Sequence, residues 1–294
     1  MDQFIFAMVP NPILNAVSKD LNTKITGFNF LSGGCINEGG KLYTTKGDFF
    51  IKWNSKTQFE QMFEKEQWGI ESLQKTSTLP VPKVITVGAV EEWQYLILEF
   101  IEAGTRSGLF WKKLGEQLAQ LHRHTEPQFG LDHDNYIGSL VQRNTPHSSW
   151  SSFFEHQRLR PLIGRLEGAN RMDKGLLDSF DQLYPRLSEI FPDEQPALLH
   201  GDLWSGNVIC NNKGMAVVID PAIYYGHREA ELAFTKLFGG FESAFYESYA
   251  HHFPLEQGFQ QRMDVYNLYP LLVHTILFGD SYLEQVKRII KHFN

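Results

Sequence analysis

Three oxygen-bearing side chains stand at a spacing that could do chemistry. Asp202 and Asn207 lie in the run His200-Gly201-Asp202-Leu203-Trp204-Ser205-Gly206-Asn207, and Asp220 closes the apolar run Val217-Val218-Ile219. An Asp, an Asn five residues on and a second Asp at the end of a strand is the order of parts in a phosphoryl-transfer loop. In that order Asp202 is the catalytic carboxylate, accepting or orienting the proton of an attacking hydroxyl. Asn207 and Asp220 supply oxygens to a hard cation such as Mg2+ that bridges phosphates. An isolated HGD would be an ordinary solvated turn; HGDxxxxN followed by a strand ending in Asp is far more specific.

Such a loop needs a cation for the phosphates. Phe49-Phe50-Ile51-Lys52-Trp53 sets one lysine inside an apolar strand, where lysine is rarely buried unless paired. The next segment, Gln58 to Gln74, has helical periodicity, and Glu66 shares the apolar face of Phe59, Met62, Phe63, Ile70 and Leu73. A carboxylate on that face needs a cation, and Lys52 is the candidate; in kinases such a pair positions the lysine on the phosphates. Upstream, Ser32 to Gly40 is glycine-dense. Gly33, Gly34, Cys35, Ile36 and Asn37 form its tip, where backbone amides can approach and point at phosphate oxygens. Hairpins need glycine anyway, so this turn gains weight only from Lys52 and Glu66.

These groups must be positioned by a larger frame. Asn11-Pro12 signals a short helix start, Ile25 to Leu31, Lys41 to Thr45 and Asp48 to Trp53 read as strands, and Val84 to Val90 and Gln94 to Phe100 add two more. The expectation is an N-terminal lobe over 1–101, a five-stranded antiparallel sheet with one main helix, and a mostly helical C-terminal lobe over 102–294. At the boundary the backbone of Glu99, Phe100 and Ile101 would meet an adenine ring, an assignment by position. Leu109 to His124, Trp150 to Leu166, Asp173 to Phe191 and Val265 to Phe293 read as helical. His122 and His124 read as satisfied or surface histidines, and the block from Asp132 to Gln195 is a candidate for substrate specificity.

The chain has 294 residues, 42% hydrophobic and 21% charged, so it is globular and long enough for two lobes. A net charge of -7 argues against a nucleic-acid partner. No run reaches membrane-span length, the N-terminus lacks the basic region of a signal peptide, and two cysteines make no disulfide framework. A cytoplasmic protein is the expectation.

Gly33 to Asn37, Met62 to Glu66, His200 to Asn207, Asp220-Pro221-Ala222, Tyr225 to Glu229 and Phe238 to Phe241 together resemble the fructosamine kinase family over nearly the whole chain. The resemblance implies an α+β, protein-kinase-like bilobal fold and ATP- and Mg2+-dependent phosphorylation of a sugar-derived ketosamine, usually at its 3-hydroxyl, in repair of glycated proteins. The substrate would be a small ketosamine or a glycated lysine. The family's catalytic Asp falls on Asp202, its metal ligands on Asn207 and Asp220, and its phosphate lysine on Lys52 with Glu66. Trp204 would offer the sugar or its amine a flat apolar wall, and His227 is the second substrate candidate. Glu229 and Glu231 stand where related kinases often have Asp. Protein kinase activity is disfavoured: Gly201 stands where many protein kinases have Arg, and no Ala-Pro-Glu follows Asp220. The alternatives are an aminoglycoside or amino-alcohol phosphotransferase and a nucleotide-binding pseudokinase.

Cys35 carries one more expectation. Amides gathered to hold an anion also stabilise a thiolate. Cys35 is therefore the redox-sensitive residue, Cys210 a buried inert thiol, and the protein a monomer or a redox-dependent homodimer.

Overall fold

Period-two alternation builds the first unit. The structure, a computed structural model, describes residues 9–31 and 37–293. Helix α1 (Asn11–Asp20), strands β1 (Ile25–Phe30), β2 (Glu38–Thr44) and β3 (Gly47–Ser55), helix α2 (Met62–Thr76), and strands β4 (Val84–Val90) and β5 (Trp93–Glu99) follow in order. The strands form one antiparallel sheet in the order β1-β2-β3-β5-β4. Successive side chains of a strand point to opposite faces. Ile51 and Trp53 of β3 and Tyr95 and Ile97 of β5 therefore join Ile13, Leu14 and Val17 of α1 in one core. Leu96 and Leu98 turn the other way and meet Phe63 and Ile70 of α2. Lys52 lies between Ile51 and Trp53, so the same alternation aims it towards α2. The sheet-and-helix architecture is the one expected, but α2 starts at Met62 rather than Gln58 because Gln61 sits at φ 54, outside helical geometry.

The second unit is mainly helical. It contains α3 (Phe110–Leu121), the hairpin β6 (Asn135–Ile137) and β7 (Leu140–Gln142), α4 (Trp150–Phe153), a π-helical turn (Phe154–Leu159), α5 (Arg160–Gly168), α6 (Lys174–Leu183), α7 (Leu187–Ile190) and β8 (Ala197–Leu199). The chain then makes β9 (Val208–Cys210) and β10 (Ala216–Val218), and returns through β11 (Tyr224–Gly226), α8 (Arg228–Leu237), α9 (Ser243–His252), α10 (Phe259–Phe278) and α11 (Leu283–Phe293). Strands β8 and β11 pair antiparallel on either side of the catalytic-loop sequence. The residue grouping differs from the sequence boundary: the first unit runs to Phe110 and also takes Val208–Asp220. Hydrogen bonds explain this, because the Gly104 N–H donates to the Cys210 carbonyl and the Val218 N–H to that of Pro80.

The stretch before α4 carries the β6–β7 hairpin. The segment from Val265 to Phe293 is largely helical, as expected, and holds the end of α10 and all of α11, separated at Gly279 with φ 111. One expectation changes. Cys210 is half-exposed, not buried, because β9 belongs to a two-stranded pair all of whose β9 residues are partly accessible. Gly33, Gly34, Cys35 and Ile36, and with them the phosphate turn and the reactive thiol, lie outside the described residues. Among those described, no helix is long and apolar enough to cross a membrane.

Helices α3 and α9 approach at Gly115, where an added Cβ would lie 2.2 Å from the Phe245 carbonyl oxygen. The Ser248 hydroxyl donates to the Lys112 carbonyl at 2.7 Å in the same seam. Alanine normally stabilises a helix interior over glycine by about 0.5–1 kcal/mol. At this seam the clash wins: overpacking costs about 1–3 kcal/mol. Gly115→Ala should lower Tm by roughly 2–8 °C in calorimetry; a rise would show that the helices do not need this close approach.

Candidate active site

In the first unit, Lys52 sits between two carboxylates. Its Nζ donates to Glu66 Oε1 at 2.7 Å and to Asp220 Oδ1 at 2.5 Å. Lys52 is buried, while the Asp220 side chain keeps 37% of its exposure. Burial alone would lower the Lys52 pKa, but the charges of Asp220 and Glu66 outweigh it and hold the ammonium protonated. Burial, with a smaller push from Asp220, drives the Glu66 carboxyl up against the pull of Lys52. The cluster therefore keeps a fixed cation beside a partly exposed carboxylate. Asp220 itself has φ 56, a left-handed conformation that Asp tolerates better than most residues.

Other first-unit candidates are placed less tightly. Asn37 accepts from Asn54 Nδ2 at 2.7 Å, which ties the end of the glycine run to β3. Glu99 is exposed, and its N–H already donates to the Lys83 carbonyl at 2.9 Å, so this group is spent. Phe100 carries the Lys41 ammonium 4.1 Å over its ring, and Lys41 also bridges Asp48 and Glu102 at 2.8 and 3.1 Å. Ile101 is half-buried beside it.

In the second unit, the loop after β8 brings Asp202 and Asn207 together. The Asn207 amide nitrogen donates to the Asp202 carbonyl at 2.9 Å and to Asp202 Oδ2 at 3.0 Å. With both N–H groups so engaged, what Asn207 can offer anything else is its amide oxygen. The turn that allows this is set at Gly201, with φ 84, where a Cβ would lie 2.0 Å from the Ala222 carbonyl oxygen. Position 201 therefore excludes a side chain, Arg included.

Glu231 holds the loop from below. Its Oε1 accepts the Gly201 N–H at 2.7 Å, and its Oε2 accepts the His200 N–H at 3.1 Å and His122 Nε2 at 2.9 Å. Burial would raise the Glu231 pKa; the hydrogen bond from His122, followed by the influence of His200 and the Gly201 amide, more than reverses it. The neighbouring Glu229 does something else, pairing both oxygens with Arg262 at 2.6 and 2.8 Å. Sequence reading left these two roles open and did not assign His122 to the loop. The available signal was position: His122 follows Leu118 by four residues, in line with the apolar stripe of the preceding helix.

Trp204 is 37% exposed, edge-on to Phe238 at 6.5 Å, and lies against Gly206. It is available as a surface wall rather than a core aromatic. His227 is not. It is fully buried, with Nδ1 facing the Tyr266 hydroxyl at 3.1 Å and Nε2 facing the Pro192 carbonyl at 3.3 Å. Burial holds it neutral, down to about 4. The substrate assignment of His227 is corrected on this ground: it joins the aromatic core around Trp150 and Phe191. A cavity of about 40 Å³ opens instead beside Asp202, lined by Tyr224, Phe234, Tyr266, Tyr269 and His274 among others.

Comparison with known proteins agrees with the geometry. The family described as fructosamine kinase matches residues 11–293. A protein named "Probable ketoamine kinase slr1563" from Synechocystis sp. is 40% identical over 266 residues, 89% of this chain and 88% of that one. The chloroplastic protein-ribulosamine 3-kinase of Arabidopsis thaliana is 35% identical over 293 residues, 98% of this chain and 89% of that one. The crystal structure of a fructosamine-3-kinase candidate from Haemophilus somnus superposes with a TM-score of 0.85 at 27% identity, covering 99% of both chains.

The Lys52 cluster makes a stability prediction. Lys52→Met leaves Glu66 buried beside Asp220 without its cation, a loss of about 3 kcal/mol. Adding Glu66→Gln should recover a substantial part, because it removes the stranded charge. A group with a raised folded pKa contributes stability below its unfolded value and loses it as pH rises through the folded one. The deficit of Lys52→Met should accordingly shrink as pH falls through the raised Glu66 range. Urea titrations at several pH values measure this; a double variant less stable than Lys52→Met at neutral pH would contradict it.

Proposed function

The chain belongs to the fructosamine kinase family, and from that premise we propose that it is an ATP-dependent kinase of ketosamines, phosphorylating the 3-hydroxyl of fructosamine-, ribulosamine- or erythrulosamine-type adducts. The observation that carries the reading is that both halves of a phosphoryl-transfer constellation are formed, Lys52–Glu66–Asp220 in one unit and Asp202–Asn207 in the other. A ribulosamine kinase among the relatives supports the acceptor class.

Phosphoryl transfer leaves the protein little covalent work, so its residues act by position and charge. Lys52, held cationic by its two carboxylates, pairs with the phosphates of ATP. Asp202 accepts the proton of the acceptor hydroxyl as that oxygen attacks, and the Asn207 amide fixes the carboxylate's orientation. The partly exposed Asp220 carboxylate in the first unit and the Asn207 amide oxygen in the second are each a hard oxygen donor of the kind Mg2+ takes. When bound, Mg2+ would neutralise phosphate charge. Trp204 faces the acceptor as a flat apolar surface.

A coupled assay with ribulose-, erythrulose- and fructose-derived amines, with an aminoglycoside and an amino alcohol in parallel, tests the reading. Turnover is expected on the ketosamines, and Asp202→Asn should reduce it about 10²–10⁴-fold while nucleotide still binds. Turnover confined to the aminoglycoside or amino alcohol would transfer the activity to that class, and nucleotide binding without any turnover would make the chain a pseudokinase. Trp204→Ala should raise KM for the ketosamine and leave KM for ATP nearly unchanged; a change confined to ATP would move the ring to the nucleotide.

A further inference from the structure

Glu231 is anchored by a residue that no feature of the reaction requires. His122 directly follows the last residue of α3, far from the catalytic loop in sequence, and its side chain is 0% exposed against 1% for Glu231. Its Nδ1 meets the Tyr249 hydroxyl at 2.8 Å, and its Nε2 meets Glu231 Oε2 at 2.9 Å. An ionised carboxylate only accepts, so Nε2 must carry the proton. With the ring proton on Nε2, Nδ1 is the acceptor, and the Tyr249 O–H donates to it. Donors thus run from Tyr249 through His122 to the carboxylate that accepts the His200 and Gly201 amides.

Without the imidazole, two backbone amides remain on Glu231, and a carboxylate on a flexible two-carbon arm has no third point to fix its plane. We propose that His122 is a positioning residue for the catalytic loop, holding the Glu231 carboxylate in the orientation from which its two oxygens reach the amides of His200 and Gly201, immediately before Asp202. The kinetic consequence rests on Asp202 being the base; the structural consequence does not. His122 touches neither substrate nor reacting atom and acts through Glu231.

Two variants separate positioning from packing. His122→Leu removes the donor at similar volume, while His122→Gln keeps an amide N–H near the place of Nε2. Hydrogen–deuterium exchange over the loop, measured on the full chain without any substrate, reads the structural half. In His122→Leu the His200 and Gly201 amides should exchange about tenfold or more faster, and kcat should fall about ten- to a hundredfold, as expected for losing a hydrogen bond to a charged group. KM for ATP should stay within about twofold, since the Lys52 cluster is untouched. His122→Gln should recover the protection and most of kcat. Wild-type exchange in His122→Leu overturns the proposal, and so does a loss that glutamine fails to rescue and that follows a fall in Tm. If the leucine variant does not fold, Tyr249→Phe, which frees Nδ1 and leaves the ring, is read in its place: faster Gly201 exchange supports the chain of donors and unchanged exchange overturns it. Because exchange needs no acceptor, absence of ketosamine turnover would defeat the proposed function and leave this result standing.

Discussion

A charge removed from water must find its opposite nearby, and Lys52 shows how much of the first unit follows from that. The strand pattern commits the lysine to the inner face, because Ile51 and Trp53 take the other side with α1. Shifting β3 by one residue would turn Lys52 into the α1 core and Ile51 and Trp53 towards α2. Glu66 on α2 and Asp220 after β10 then become necessary to the fold as well as useful to chemistry. Their separation in the chain means that the pair cannot form until the sheet, α2 and the β9–β10 segment are all in place. The same interaction that makes the site is therefore a test that the unit is complete.

The catalytic loop of the second unit obeys the same constraint with the sign reversed. Glu231 is a carboxylate with almost no access to water, and an ion so placed loses several kcal/mol of solvation. Three hydrogen bonds to a charged group contribute about 1.5–3 kcal/mol each, enough to balance that loss, and the depressed Glu231 pKa says that they do. Two of the three donors are backbone amides of the loop. The start of the loop, ahead of its 3-10 turn at Ser205–Asn207, is thereby tied down, and the left-handed turn at Gly201 is held with it. The bond from Asn207 to Asp202 finishes the job locally, within five residues.

The sequence made some of this legible and hid the rest for physical reasons. Lys52 and Glu66 could be paired in advance because each violated an apolar pattern that named its face. Asp202, Asn207 and Asp220 could be read because their spacing is local. Glu231 stood in view without a role, since its partners are backbone amides, which carry no side-chain signature. His122 was read only as satisfied; that it serves Glu231 depends on how α3 meets α8 and α9, a tertiary fact. His227 misled in the opposite direction, because a histidine beside the loop sequence looks like a ligand when only folding shows it sealed among Trp150, Phe191 and Tyr266. The π-helical turn within 154–159 was invisible too, since its residues keep an ordinary helical pattern.

The segment read as a candidate for substrate specificity has another use in its polar residues. Asn135 donates to the Ile223 carbonyl and Gln142 to that of Ala222, both at 2.9 Å, while Tyr269 donates to Gln142 at 2.7 Å. Arg158 is fully buried behind them, bonded to Asn144 at 2.9 Å and to the Arg143 carbonyl, with its guanidinium 4.0 Å over the Tyr224 ring. Among the described residues no carboxylate pairs with it; carbonyl oxygens and ring faces take that place. Asn135 and Gln142 are spent on the backbone between Asp220 and β11, Tyr269 and Arg158 on the segment itself, and a group already satisfied by the fold has little left with which to choose a substrate. The exposed face of Trp204 is not spent in this way.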